Sequence, residues 1–549
     1  MWLIVARHGP LYYSGSLQVF NHGHAGTLRR LGALAGIRRR PGFPARPHTR
    51  MRARDFLHTI RPLSPPVPAA IGGTASHRRG FGITRPKANG HPIRFLISWH
   101  NAHIDGFETP PGCLVRTPGA ARYGDTLPSK PLPALNPTTA TPVRHAIISE
   151  RADRAACWLA VALGFSIPIS TALDAVLLVL ILALWLAGAG FREKFAVIGR
   201  NPVALAALAL LAMVAIGMLY GRGTAAEALN YGGKYADLLY VALLIPLFGD
   251  PRIRRYGLAA FVAAMLLTLV LSYMLALRLL PVYHWIWGTP SDAAIFRDHI
   301  TQNILMAYLA YLCVVRARSA LTRPARAVWV VLAVLATYDV LFLVQGRSGY
   351  LALAVLALYF AYEWMGRRGL AIAALAVLAL GSIGYFTSST LHMRLQAIVL
   401  HAVGWRDGRD LHTSIGLRMS FLQNSLAILR RHPVIGVGTG GFVRAYAHQI
   451  RGTHLPMTAN PHNQYLLIMI ELGVVGLVLM LNLFYTQWRA AARLAPDDRR
   501  LARALVLTYV SGCAVNSLLI DNTERLFFIW LGALLYAGWK GQQPRTGVA

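Results

Sequence analysis

His462 stands in the run Pro461-His462-Asn463-Gln464-Tyr465, after the polar stretch 389–461 and directly before the apolar run Leu466 to Leu483. An imidazole with an ordinary pKa of about 6.5 is the side chain best matched to moving a proton near neutrality. The amides of Asn463 and Gln464 could hold a hydroxyl-rich group such as a sugar. Two arginines are the other prominent candidates. Arg347 lies in Gly346-Arg347-Ser348-Gly349, a link so short that its backbone cannot leave the membrane boundary, and its glycines would allow close approach of a ligand. Arg418 falls on a segment, Ile415 to Arg431, whose apolar residues Ile415, Met419, Leu422, Leu426 and Leu429 recur every three or four positions, with Pro433 marking its end. A guanidinium is always charged and its planar fork matches phosphate oxygens, so both are candidate clamps for a phosphate or diphosphate. Lys234 and Arg222 in another connection, and His299 after Arg297-Asp298, would add cations and a second proton carrier. Each of these residues also has an ordinary reading as a helix cap or an interfacial anchor whose stem lies along apolar surface.

The elements that must position these groups follow from composition. The chain has 549 residues, 55% hydrophobic and only 14% charged, which is too apolar for a typical soluble domain. Runs of the length needed to cross about 30 Å of hydrocarbon occur near 156–172, 173–190, 202–220, 235–249, 257–279, 300–317, 325–345, 348–365, 369–388, 462–486, 502–520 and 525–541. The fold class expected is all-α: a polytopic membrane protein of about twelve transmembrane helices, with transmembrane helices 1–9 in 151–388, a large outward loop in 389–461 carrying an amphipathic helix, and three further helices and a tail in 462–549.

The formal net charge of +33 does not imply nucleic acid, because the cations fall in alternate connections, as in Arg252, Arg254 and Arg255 or Arg316, Arg318, Arg323 and Arg326. The positive-inside rule makes those connections cytoplasmic and turns Arg347, the loop 389–461 and Asp521 to Glu524 to the opposite side. That loop holds eight arginines against Asp407 and Asp410, a balance that asks for an anionic partner. Residues 1–150 differ from the rest, with 18 of the 30 prolines and 20 Lys or Arg against 5 acids. Such a basic, Pro-rich extension cannot bury enough apolar surface to offset its ordering entropy; disorder, or a reading frame extended upstream of a start near residue 143, is expected.

Cys113, Cys157, Cys313 and Cys513 form no CxxC pair, so neither a disulfide framework nor a zinc site is indicated. Gly436-Val437-Gly438-Thr439-Gly440-Gly441 lacks the Lys-Ser/Thr of a P-loop and reads as a tight turn returning the loop toward the headgroups. Asp497-Asp498 falls on the cytoplasmic side, no outward cluster has metal spacing, and there is no Gly-x-Ser-x-Gly turn. No metal and no cofactor are expected, and arginines are left to stabilise a diphosphate leaving group.

Gln345-Gly346-Arg347-Ser348-Gly349, His432-Pro433 with Gly436, Gly438, Gly441 and Phe442, and Pro461-His462-Asn463-Gln464-Tyr465-Leu466 followed by Glu471-Leu472-Gly473 together resemble the O-antigen ligase and polymerase superfamily of bacterial inner-membrane glycosyltransferases, over about residues 150–545. The resemblance implies a GT-C-like fold with a periplasmic loop. It makes His462 the histidine of acceptor activation and Arg347 and Arg418 the arginines at the lipid diphosphate, with Lys234 and His299 as pocket residues. It further implies an undecaprenyl diphosphate-linked polysaccharide donor, a lipid A-core acceptor, a lipid environment and an active site facing the periplasm. Polymerases and protein O-oligosaccharyltransferases share these motifs. A lipid-linked sugar transporter is a different class, which would call for ionisable groups near midspan; Asp237, Asp339 and Glu471 are the residues to watch for it.

Overall fold

A computed structural model describes residues 140–387 and 389–539; the expectations for the basic extension before Ala140 and for the tail after residue 539 lie outside the described residues. The helices are α1 (Ala140–Ser166), α2 (Thr171–Ala187), α3 (Phe191–Arg200), α4 (Pro202–Tyr220), α5 (Ala225–Ala236), α6 (Leu239–Leu247), α7 (Pro251–Ala276), α8 (His299–Ser319), α9 (Arg323–Tyr338), α10 (Arg347–Thr387), α11 (Ser389–Arg406), α12 (Ser414–Arg431), α13 (Phe442–Gln449), α14 (Gln464–Ala491), α15 (Pro496–Gly512) and α16 (Asn522–Tyr536). Their starts are written in the local chemistry. Asn201, Asp250 and Asp298 accept hydrogen bonds from the first free N–H groups of α4, α7 and α8, and Pro202 and Pro251 occupy first-turn positions where no N–H is needed. Thr224 and Glu227 form a reciprocal capping box on α5.

All twelve expected apolar runs overlap helices. Among the described residues, however, six helices are long and apolar enough to cross a bilayer, or seven if α2 and α3, bent by 118°, count as one span. The shortfall has visible causes. Helix α6 has only 9 residues and carries Pro246 inside it, α16 has 15, and the runs 348–365 and 369–388 are joined in α10 across a non-helical Gly366 at φ 61°.

The core is built around α8, whose apolar window is 83% buried, and α16, buried along nearly its whole length. Trp530 of α16 donates its indole N–H to Ala160 O at 2.8 Å and meets Phe248 and Phe261. Helices α9 and α10 are peripheral, with only 22% of their windows buried. Helix α9 ends in a π-helical turn, Asp339–Leu343, where Val344 N–H reaches back to Asp339 O at 3.0 Å. This turn of wider winding delivers Gln345 and Gly346 to the start of α10.

The polar stretch before α14 folds as α11, α12 and α13 with a glycine loop between the last two. That loop threads between α4 and α14. Gly436, Gly438 and Gly440 have φ of 70°, 85° and 77°, and a Cβ on Gly438 would collide with Gly221 Cα, so only glycine meets both demands. Val437 and Gly438 donate to the carbonyls of Ile470 and Glu471 at 2.8 Å, and Thr439 N–H to Gly217 O at 3.0 Å. Helix α14 is broken opposite the loop at Gly473, φ 66°. There the helix takes its acceptors from the loop: Val474 N–H bonds Pro433 O at 2.9 Å and Val475 N–H bonds Val434 O at 3.4 Å.

Candidate functional site

Three segments distant in sequence meet at the link between α15 and α16, residues 513–521. Asn463 caps α14 by accepting from Leu466 N–H at 3.0 Å, and its amide donates to Ala514 O at 2.9 Å. Gln464 is wholly buried. Its N–H bonds Cys513 O at 2.8 Å, its side-chain oxygen accepts from Leu519 N–H at 3.0 Å, and its side-chain NH2 donates to Tyr235 OH at 3.0 Å. Both amides expected to hold a sugar are thus committed to the scaffold, where they set the position of the residue before them.

That residue, His462, adopts φ 52°, a left-handed conformation uncommon outside glycine and the kind of local strain that the surroundings must hold in place. Asn460 holds it by accepting from His462 N–H at 2.5 Å, and the same oxygen accepts from Ser517 Oγ at 3.0 Å. The next residue, Asn516, donates its amide to Ser348 Oγ at 2.6 Å. Ser348 follows Arg347 directly. Adjacent residues of one link therefore fasten the backbone of the histidine on one side and the arginine link on the other.

Arg347 opens α10 with its side chain exposed. The flanking glycines serve a different purpose from the one read in the sequence. A Cβ on Gly346 would strike His299 O and Asn303 Nδ2, and one on Gly349 would press on Asn303 Cβ. The close approach is that of α8, not of a ligand. Asn303 secures it by donating to Val344 O at 3.0 Å and Gly346 O at 3.1 Å.

Arg418 lies on α12, which spans the amphipathic segment expected there and is capped by Thr413. Three residues on, the buried Phe421 stacks its ring against that of His462, centroids 6.1 Å apart and planes 24° off parallel. This brings Arg418, one turn away on the same face, beside the imidazole. The electrostatics agree with the geometry. Desolvation by the surrounding protein, and then the Arg418 cation, hold the His462 imidazole below its ordinary range. Desolvation, and then Arg347, lower Arg418 in turn. Arg347, Arg418 and His462 form a series in which each charge acts on the next.

The remaining candidates spread around this series. His299 sits behind the arginine link, its carbonyl against Gly346 and its Nδ1 3.7 Å from Asp292. Lys234 lies over the ring of Tyr231 at 4.7 Å, in electrostatic range of Asp521 and Glu471, and Tyr231 OH donates to Ala459 O at 2.5 Å, next to Asn460. Arg222 takes another direction. Its N–H bonds Val437 O, and its side chain lines a cavity with His432 and the start of the glycine loop.

Asn303, Asn460, Asn516, Ser517 and Phe421 were not singled out in the sequence. Polar Asn516 and Ser517 within the apolar run 502–520 were the one available sign. Of the carboxylates to watch for a transporter, Asp237 pairs with Arg525 at 2.7 Å, while Asp339 accepts from Ser272 Oγ and Glu471 from Gly440 N–H at 3.1 Å, each through one oxygen, the other being buried without a hydrogen-bond partner. Asp497 is bonded to Ser319 and Arg500. Among the described residues no group of three or more His, Cys, Asp or Glu is arranged to hold a metal ion.

Residues 330–481 match the family model described as O-antigen ligase, a stretch containing Arg347, Arg418 and His462. A protein of Haemophilus influenzae, described only as uncharacterized, is 24% identical over 148 residues, a stretch that covers 26% of this chain and 37% of that relative.

Proposed function

From the site geometry and the match of residues 330–481 to the O-antigen ligase model we propose that this chain is a glycosyltransferase of the ligase type, moving a polysaccharide from undecaprenyl diphosphate to a sugar hydroxyl of lipid A-core at the periplasmic face of the bacterial inner membrane, through a bundle of twelve spans. The observation that carries this reading is the series Arg347, Arg418, His462, drawn from three segments distant in sequence. In the proposed reaction the acceptor hydroxyl oxygen attacks the anomeric carbon, the bond from that carbon to the diphosphate oxygen breaks, and the hydroxyl proton passes to His462. A single displacement inverts the anomeric centre. Cleavage of the activated glycosyl bond supplies the driving force, so no nucleotide is consumed.

The electrostatics suit these roles. A histidine held below its ordinary range is neutral at pH 7 and free to accept a proton. The two guanidiniums are placed to take up the charge that grows on the departing diphosphate; their fork fits its oxygens. Lys234 and His299 would act at the periphery of the pocket, and Arg222 from the neighbouring glycine loop.

The test is reconstitution. Purified protein incubated with lipid-linked polymer and lipid A-core should yield core bearing polymer, equally with and without chelator. Lengthening of the lipid-linked chain with the core untouched would make the enzyme a polymerase. Movement of lipid-linked sugar into vesicles with no transfer product would make it a transporter.

A further inference from the structure

The arginine-rich end of the bundle carries a cavity that the proposed transfer does not use. It lies between α8, α9 and α10 and has a volume of 630 Å³. Along α9 its wall is one helical face, Arg326, Val330, Ala333, Val334 and Thr337, recurring every three or four residues. Val330 and Val334 are 48% and 62% exposed, and two of the three helices bearing the cavity, α9 and α10, are the least buried of the six candidate spans. In a bilayer this face meets acyl chains.

The mouth differs in character. Arg318 and Arg326 both border it. The Arg318 guanidinium rests 5.9 Å from the Phe360 ring and 5.7 Å from the Trp364 ring, a contact that orients the cation without neutralising it. Neither arginine has a carboxylate partner among the ion pairs of the described residues. Two acids at this end of the bundle are already committed: Glu363 faces Arg500 and Arg503 at 3.7 and 3.6 Å, and Asp497 faces Arg500 at 2.9 Å.

We propose that this cavity binds one anionic glycerophospholipid, its phosphate between Arg318 and Arg326 and an acyl chain against α9. The dimensions match. From Arg326 to Thr337 the groove runs roughly 16 Å at 1.5 Å per residue, about half of the hydrocarbon thickness and therefore one leaflet. Two uncompensated cations select a headgroup with net negative charge over a zwitterionic one. The apolar wall selects a lipid over free phosphate.

The full chain, purified in detergent and offered equal amounts of phosphatidylglycerol and phosphatidylcholine, is to be examined by native mass spectrometry for retained lipid. One phosphatidylglycerol should be kept in preference. The double variant Arg318→Gln, Arg326→Gln should lose that preference by roughly tenfold or more, while Arg323→Gln, which removes a cation of the same helix end that does not line the cavity, should keep it. Ala333→Phe, which fills the groove with both arginines intact, should also lose it. Melting in phosphatidylcholine alone, with each variant close to the parent, checks that the variants are folded. Equal retention of the two lipids by the parent, undiminished retention by the double variant, or displacement of the lipid by inorganic phosphate would each overturn the proposal.

Discussion

The two halves of the candidate site are held by different forces. Arg347 and His462 are fixed through their backbones by buried amides and hydroxyls of Asn303, Asn460, Asn516 and Ser517. Among the described residues Arg418 has no side-chain hydrogen bond of its own; its position depends on α12, which is tied to α11 by Trp405 Nε1–H donating to Ser420 Oγ at 2.8 Å and packs through Leu417, Phe421 and Ile428 against the core. Hydrogen bonds are directional and set a side chain's base to within fractions of an ångström, whereas apolar packing is non-directional. The difference suggests that the proposed proton acceptor and one proposed diphosphate clamp are pre-organised, and that the second is carried to them by a helix whose own fit determines where it arrives.

The largest expected effect lies in the fixed half. His462→Ala should lower transfer by about 10² to 10⁴-fold, the usual worth of a general base, with donor binding retained; single-turnover transfer set beside binding of the lipid-linked donor checks both. Transfer at the parental rate would remove His462 from the reaction. Next come the clamps. Arg347→Ala and Arg418→Ala should each lower kcat/KM on the order of 10- to 100-fold, as expected for a lost charge-assisted contact, and should weaken donor binding as well. Lysine at either position should recover only part of the loss, because it restores charge without the fork.

A smaller effect separates the two forces directly. Asn516→Ala should reduce kcat by about tenfold through misplacement of Ser348 and Arg347, and Asn516→Asp, which keeps the shape but not the donor, should not rescue it. Phe421→Ala should instead act through Arg418 and the stacked imidazole. If Asn516→Ala left kcat unchanged, the comparison between the halves would fail. Smallest is a displacement in pH. With His462 active as a neutral base, transfer is lost as pH falls through its pKa; since burial and Arg418 depress that value, the acid limb of the kcat profile should lie below the ordinary histidine range near 6.5. Arg418→Gln removes the cation and should move the limb toward higher pH in whatever activity remains.

How much of this was legible in the chain depends on distance along it. Local periodicity revealed α12, with its end before Pro433, and the start of α14 just after His462. The motif around Arg347 pointed to a constrained link, but the partner of its glycines was invisible, since Asn303 lies 43 residues from Gly346 and no spacing rule joins them. Asn516 and Ser348 are 168 residues apart, and no spacing rule joins them. The number of spans is legible only in part: against twelve apolar runs, six or seven helices among the described residues are long and apolar enough to cross a bilayer. Apolarity marks a run as buried in protein or lipid without distinguishing the two, and short helices such as α6 and α16 fall below that length. The glycine run read rightly as a turn, while its packing on Gly221 and Glu471 needed the third dimension.

The break at Gly473 leaves α14 unable to close its own backbone ladder, and in hydrocarbon an unpaired amide has no water to turn to. The carbonyls of Pro433 and Val434 act as a splint across that break. A nick or insertion between residues 432 and 441 would therefore injure a membrane helix some thirty positions further on, and with it the histidine seated just before that helix. The soluble-looking loop and the lipid-embedded rod are one mechanical part.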